Sequence, residues 1–280
     1  MKKIVVVGSG FGGLSIASKL KAKKFDVTLI EKHKDLGGRA RTFVHNDFKY
    51  DAGPTVITAP YLIDELFSAH GEKLSDYVNL LPVKPWYRFL FDNGDYIDYG
   101  DKLISTVHEI KAKYGNDKAQ AYLKLLKHSK QIFKKGFIEL SDEPFESIFS
   151  MLKHLPALIK IRFDRSVYQT VNKYLNNKNL NEALSMHPLL VGGNPYSTTS
   201  IYLLIQYLEW KWGVYYAEGG TGRIIDGLEK LLIKKDVNIK KNTEAKKIIL
   251  KNNKVVGIDT SQGIIDCDIV VCNSDPTYTY

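Results

Sequence analysis

Cysteine is scarce in this chain, with Cys267 and Cys272 the only two in 280 residues. Five positions apart on a run that reads as a strand, they point to opposite faces. That speaks against a disulfide or a metal pair and leaves ordinary core packing as the expectation for both. The seven histidines are dispersed without ligand-like spacing, so no metal centre is expected. Long apolar runs are missing as well: no stretch is long enough to cross a bilayer. Met1-Lys2-Lys3 is followed by only the four apolar residues Ile4 to Val7, too few for a secretory signal core, and a cytoplasmic location is expected. Acidic residues are outnumbered, 31 Asp and Glu against 40 Lys and Arg, which gives a formal charge of +9. The lysines are nevertheless scattered and form no dense basic block, so nucleic acid is not an expected partner, and a weak pull toward anionic lipid fits the charge better. With 44% hydrophobic and 25% charged residues, the chain can bury a core in two domains.

What is present has a clear order. Ile4 to Val7 is a continuous β-branched run ending in glycine, the pattern of a strand buried on both faces in a parallel sheet. Leu14, Ala17, Ser18 and Leu20 then give a short helix, and Val27 to Ile30 a second buried strand, which together make a βαβ unit. From about residue 74 to 215 the pattern changes to aromatic-rich strands, Trp86 to Phe91 and Tyr96 to Tyr99, mixed with long helical stretches. Near Gly219-Gly220-Thr221-Gly222 the first pattern returns. Ile224, Ile225, Leu228, Leu231 and Leu232 form one apolar helical face, followed by a strand at Val237 to Lys240. Lys247 to Leu250 and Val255 to Asp259 flank Asn252-Asn253 as a hairpin, and Asp268 to Cys272 is one more buried strand. The fold class is therefore α/β. A first domain, residues 1–73 and 216–280, is split by an inserted mixed α+β domain at residues 74–215.

Gly8-Ser9-Gly10-Phe11-Gly12-Gly13 fits G-x-G-x-x-G directly after a strand and at the opening of a helix. Gly8, Gly10, Gly12 and Gly13 supply the tight turn and the bare backbone that a pyrophosphate needs, with a helix N-terminus aimed at its charge. Glu31, at the end of the second strand, stands where a carboxylate accepts hydrogen bonds from ribose hydroxyls. FAD and NAD share this fingerprint. Gly37-Gly38-Arg39-Ala40 adds a second glycine pair and an arginine able to pair with phosphate, for which a simple NAD dehydrogenase has no use.

With these residues the sequence resembles the flavoproteins that include amine oxidases, protoporphyrinogen oxidase and the carotenoid desaturases. Asp51-Ala52-Gly53-Pro54-Thr55 is similar to the D-x-G-P-T stretch of bacterial phytoene desaturases. The likeness continues through Leu80-Leu81-Pro82-Val83, Arg165-Ser166-Val167-Tyr168, the run His187 to Pro195, and Asn273-Ser274-Asp275-Pro276 with Thr279-Tyr280. It implies a Rossmann-like FAD-binding domain carrying an inserted substrate domain, and FAD as cofactor. The implied contacts are Gly8, Gly10, Gly12, Gly13, Glu31, Gly38, Arg39, Asp51, Gly53, Pro54, Thr55 and Ala245. Members of that family run to nearly twice this length, so the resemblance also implies that a C-terminal half is missing here.

The implied reaction is desaturation of phytoene, with a hydride leaving an allylic carbon for the flavin and a proton leaving its neighbour. The close variants are a C30 or later-carotene desaturase and a carotene isomerase, and the alternative of another class is a non-catalytic fragment needing a second chain. Arg165, with the adjacent Asp164, is the candidate for positioning or charge-tuning the reacting segment. The aromatic wealth of the inserted domain is as compatible with an apolar substrate tunnel as with an ordinary core. The run Ile148 to Phe163, apolar with interleaved basic residues, suits a dip into a membrane leaflet or a helix pair over the core. Expected partners are lipid-dissolved phytoene, a membrane surface, and either a second copy of the chain or a complementing C-terminal half.

Overall fold

The β-branched run at the N-terminus becomes one of the two inner strands of a four-stranded parallel sheet. In the computed structural model, which describes residues 1–139, 155–156, 159, 161–275 and 277, β1 (Lys3–Val7) lies between β2 (Asp26–Ile30) and the strand Ile269–Cys272. The register sets Ile4 beside Val27 on one side and Ile269 on the other. Between β1 and β2 runs α1 (Phe11–Ala22), which buries Gly13, Leu14, Ala17 and Ser18. Successive residues of a strand face opposite ways. Val6 accordingly joins the larger core with Leu14, Ala17 and the helix Gly222–Lys234, while Val5 joins Ile258 and Cys267 in a smaller cluster.

The chain divides into two compact units, Met1–Leu81 with Tyr215–Tyr280, and Pro82–Val214. In the first, β3 (Thr42–His45) and β4 (Phe48–Asp51) form a two-stranded hairpin, followed by α2 (Pro60–Ser68). Residues 74–81, which composition assigned to the inserted domain, belong here. Leu74 and Val78 are buried in the larger core, and Asn79 exchanges hydrogen bonds with Glu218, backbone N–H of Glu218 to Asn79 O at 2.9 Å and Asn79 Nδ2 to Glu218 Oε2 at 2.9 Å.

The second unit is chiefly helical among the described residues. It has one hairpin, β5 (Tyr87–Leu90) with β6 (Tyr96–Tyr99), then α3 (Leu103–Tyr114), α4 (Asn116–Phe133), α5 (Val167–Leu175), α6 (Lys178–Leu184) and α7 (Leu204–Trp212). Its core holds Tyr99, Tyr122, Leu125, Val171 and Leu175, with Trp86 and Trp210 packed against it. Most of the segment Ile148 to Phe163, residues 148–154, 157–158 and 160, lies outside the described residues, as do Thr279 and Tyr280.

The first unit closes with α8 (Gly222–Lys234), β7 (Asn238–Lys240), β8 (Ala245–Lys251), β9 (Lys254–Thr260), β10 (Gly263–Asp266) and β11 (Ile269–Cys272). α8 buries all five apolar residues of its periodic face. Asn252 and Asn253 both take positive φ, 51° and 57°, the conformation that an Asn-Asn hairpin turn requires. Both cysteines are free thiols, as expected. Cys267 is buried in the smaller cluster, whereas Cys272 departs from the expected core packing: it is exposed, at the end of the edge strand in the sheet order β11-β1-β2-β7.

Candidate cofactor site

The end of β1 and the start of α1 are pressed together, which dictates the glycines between them. A Cβ at Gly13 would stand 1.9 Å from the Gly8 carbonyl oxygen, less than any real contact allows, so only glycine lets the helix begin so close to the strand. No side chain caps the α1 N-terminus at Gly10, and its first N–H groups are left for an outside acceptor.

Ser9 and Glu31 close the far side of this turn. One Glu31 carboxylate oxygen accepts from Ser9 N–H at 2.9 Å and Ser9 Oγ at 2.6 Å, and the other from His33 N–H at 3.0 Å. Burial raises the proton affinity of this carboxyl, but the hydrogen bonds from Ser9 and His33 outweigh it and hold its pKa below the usual carboxylate value. The stretch carrying Ala245 starts beside it, because Thr243 N–H donates to Glu31 O at 2.7 Å. Ala245 itself opens β8 opposite Thr260.

The second glycine pair docks on the first. Gly37 N–H donates to Ser9 O at 3.0 Å, and a Cβ at Gly38 would come within 3.2 Å of Gly10 Cα. The 3₁₀ turn Gly38–Ala40 that follows leaves Arg39 exposed beside the loop. Asp51 to Thr55 crosses over this turn: at Gly53 a Cβ would lie 2.2 Å from Arg39 O, and Ala52 N–H donates to Arg41 O at 3.0 Å.

Sequence reasoning missed two connections here. Asp51 works inside the protein, accepting from Thr42 Oγ1 at 2.8 Å and Thr221 N–H at 3.0 Å, while Thr221 Oγ1 donates to Pro54 O. The Gly219–Gly222 turn and the Asp51–Thr55 segment are thereby latched together. Asn273, noted only as part of a motif, lays its side-chain amide against the glycine loop. A Cβ at Gly12 would meet its Oδ1 at 2.3 Å and one at Gly10 its Nδ2 at 3.1 Å. The signal for it was the end of a parallel strand adjacent to β1, which points its loop at the same sheet edge as Gly8.

Asp164 and Arg165 lie in the other unit. The partner of Asp164 is Arg162, through Nε at 3.0 Å and Nη2 at 2.9 Å, in an ion pair whose side chains are about half exposed. The Arg162 guanidinium holds the Asp164 carboxyl below its ordinary value, which makes it a weak proton acceptor. Arg165 is fixed through its backbone, its carbonyl accepting Ser200 N–H at 2.8 Å.

The bare glycine turn, the uncapped helix, the carboxylate at the second strand and the exposed arginine fit an adenine dinucleotide whose pyrophosphate crosses the loop. The description "flavin containing amine oxidoreductase" matches residues 11–278. The chain belongs to this family. Its cofactor is FAD, which Gly8 to Gly13, Glu31, Arg39 and the peptide at Ala245 would hold. The lycopene-forming phytoene desaturase of Pseudescherichia vulneris is 39% identical over all of this chain and 57% of its own length. The neurosporene-forming enzyme of Rhodobacter capsulatus is 33% identical, again over the whole chain and 54% of its own length. The chain thus spans little more than half the length of these curated relatives. An oxidoreductase from Methanosarcina mazei shares the fold, with a TM-score of 0.57 at 18% identity over 97% of this chain and 58% of its own.

In this flavoprotein Glu31→Gln weakens FAD binding about tenfold or more, since hydrogen bonds to a charged group contribute roughly 1.5–3 kcal/mol. Stability follows pH with a definite sign. A lowered carboxyl stabilises the fold fully above its unfolded value and ceases to do so as pH falls through its folded value. Denaturant titrations of the two proteins should therefore differ by a constant amount at neutral pH and converge in acid; convergence on raising the pH would contradict the assignment.

Proposed function

We propose that the whole protein is an FAD-dependent phytoene desaturase forming lycopene or neurosporene in carotenoid biosynthesis. What supports the reading above all is the 39% identity over the full chain to a lycopene-forming desaturase, in a chain whose dinucleotide cradle is assembled down to the latch between Asp51, Pro54 and Thr221. FAD, when bound, supplies the acceptor for a hydride leaving an allylic carbon. The residues of this chain would bind and orient it: Glu31 would accept from the ribose hydroxyls and Arg39 would offset phosphate charge, while the Asp51–Thr55 segment is latched to Thr221 across the second glycine turn.

A peripheral meeting with the membrane belongs to the same proposal, because phytoene dissolves in lipid. It is supported by Leu189 and Val191, 62% and 58% exposed on one 3₁₀ turn, and by the charge of +9. No helix among the described residues is long and apolar enough to cross a membrane.

The test is expression in phytoene-producing cells of this chain joined to the C-terminal part of the Pseudescherichia vulneris enzyme, with carotenoids separated by chromatography. The expected result is red lycopene or yellow neurosporene, with flavin and protein in the membrane fraction. Bound flavin with unchanged phytoene would overturn the substrate; conversion of a C30 precursor instead would move the assignment to the shorter-chain desaturases.

A further inference from the structure

The lysines that look scattered along the sequence gather on one helix face. From Lys118 to Ile138 the chain carries six lysines and no aspartate or glutamate, against 40 basic and 31 acidic residues overall. α4 turns Tyr122, Leu125, Ser129, Ile132 and Phe133 into the core. Lys124, Lys127 and Lys130 are exposed on its other side, and Lys134 continues the row as the helix runs on into the turn Lys134–Glu139. At 3.6 residues per turn these four fall within about 120° of arc and roughly 15 Å of axis. Lys211, on the packed helix α7, adds a fifth charge, its Nζ 5.1 Å from the centre of the Phe133 ring and 4.1 Å from that of Trp212.

Neighbouring elements do not neutralise this face. Among the described residues no carboxylate lies within ion-pair distance of any of the five lysines, whereas Lys135 takes Glu139 and Lys113 takes Glu109. α5 has no acidic residue, and the one acid of α7, Glu209, is buried with His187. The acid-free lysine run at the end of α1 is a different case. There α1 packs against α2 and α8, which bring Asp64, Glu65, Asp226 and Glu229, and Lys21 Nζ donates to Asp236 O at 3.1 Å.

We propose that the outward face of α4, together with Lys211, is a docking surface for anionic phospholipid headgroups, so that the protein selects its membrane by charge. This rests on the reading that the whole protein meets the membrane for a lipid-dissolved substrate and goes further, since that meeting alone is served by any bilayer. A row of lysines on a helix whose apolar side is already packed in protein attracts the leaflet through headgroup charge rather than by insertion. Tyr207 and Trp212, half-buried beside the lysines, have the amphipathic rings that sit at headgroup level. The same rings argue against nucleic acid. Lys130 lies over Tyr207 with its Nζ 5.7 Å from the ring centre, and Lys211 lies over Phe133 and Trp212, so their faces are occupied by ammonium groups rather than open to stacking bases.

The test is co-sedimentation of this chain with vesicles of phosphatidylcholine alone and of equal parts phosphatidylcholine and phosphatidylglycerol. The expected result is binding to the second and not the first, lost at about 1 M salt, where the screening length falls to about 3 Å. Lys124→Gln, Lys127→Gln, Lys130→Gln and Lys134→Gln combined should weaken that binding on the order of a hundredfold, each lysine near an anionic surface contributing about fivefold. Glutamine is close to lysine in helix propensity, so the far-ultraviolet spectrum should stay that of the parent. The control removes the same charge from β8 and β9 through Lys246→Gln, Lys247→Gln, Lys251→Gln and Lys254→Gln, all exposed positions. It should bind within about threefold of the parent, because charges farther than a screening length from the leaflet act little. Equal binding to both vesicles, equal loss in both variants, parent-like binding by the α4 variant, or retention on DNA without vesicle binding would each overturn the proposal. None of these readouts needs turnover. Charge-selective binding by a protein that leaves phytoene unchanged would count against the substrate and leave the surface standing, and conversion of phytoene by a protein indifferent to headgroup charge would do the reverse.

Discussion

Gly13→Ala should weaken FAD binding, and a second substitution at Asn273 will not restore it. The new methyl would lie 1.9 Å from the Gly8 carbonyl oxygen, which is main chain at the junction of β1 and α1 and has no rotamer to change. Either α1 moves off the strand end or the loop is rebuilt. Overpacking of this kind costs about 1–3 kcal/mol, and where that strain must be overcome to hold the pyrophosphate, binding weakens roughly 5- to 150-fold. Gly12→Ala is a different case, since its obstacle is the Asn273 side-chain oxygen at 2.3 Å. Asn273→Ala removes that obstacle. The variants form double-mutant cycles in which Gly12→Ala and Asn273→Ala are strongly coupled, while Gly13→Ala, whose methyl would only touch Asn273 Nδ2 at 3.4 Å, couples to Asn273→Ala weakly. Flavin fluorescence titrations and thermal melts of the five variants read both. Recovery of Gly13→Ala in the Asn273→Ala background would show that the helix start is less tightly placed than the backbone distances require.

The contrast between those glycines marks the limit of what the sequence discloses. The G-x-G-x-x-G turn, Glu31, the Gly37-Gly38-Arg39 turn and the apolar face of α8 are local patterns, each set by a period or a turn conformation within a dozen residues, and the fold keeps all of them. The Asn252-Asn253 turn is legible for the same reason. Asp51 was legible as part of a motif but its work was not. Its partner Thr221 is 170 residues away, and no local rule connects a carboxylate to a backbone N–H across an inserted unit. Asn273 is similar: its place on the glycine loop follows from the pairing of β11 with β1, a register that only the folded sheet fixes. Asp164 was legible only as the neighbour of Arg165, and its ion pair with Arg162, two positions earlier, was not, because which nearby side chains meet depends on the local backbone. The unit boundary moved by eight residues because burial of Leu74 and Val78 in the first core, rather than the change in composition, decides where one unit stops.

The buried pair of His187 and Glu209 is where the second unit should be most sensitive to a single change. His187 Nε2 lies 3.0 Å from one Glu209 oxygen and the Tyr87 hydroxyl donates to the other at 2.8 Å, with the two side chains of the pair 1% and 0% exposed. Glu209→Leu fills similar volume yet strands two donors in an apolar interior, and His187 already has Nδ1 without a partner among the described residues. Breaking a buried pair from one side costs roughly 3–5 kcal/mol, a fall in Tm of about 6–20 °C for a protein of this size. Glu209→Gln keeps a carbonyl oxygen for Tyr87 and a polar amide facing His187, so it should retain well over half of that stability. His187 opens the 3₁₀ turn that exposes Leu189 and Val191, whereas Glu209 stands on α7, so the pair ties that apolar turn to the helical core. If Glu209→Leu melted within about 2 °C of the parent, a shift that corresponds to less than about 1 kcal/mol, the contacts around Glu209 would be packing alone, and the turn would owe its position to its own backbone, in which Gly193 N–H donates to Pro188 O at 2.8 Å.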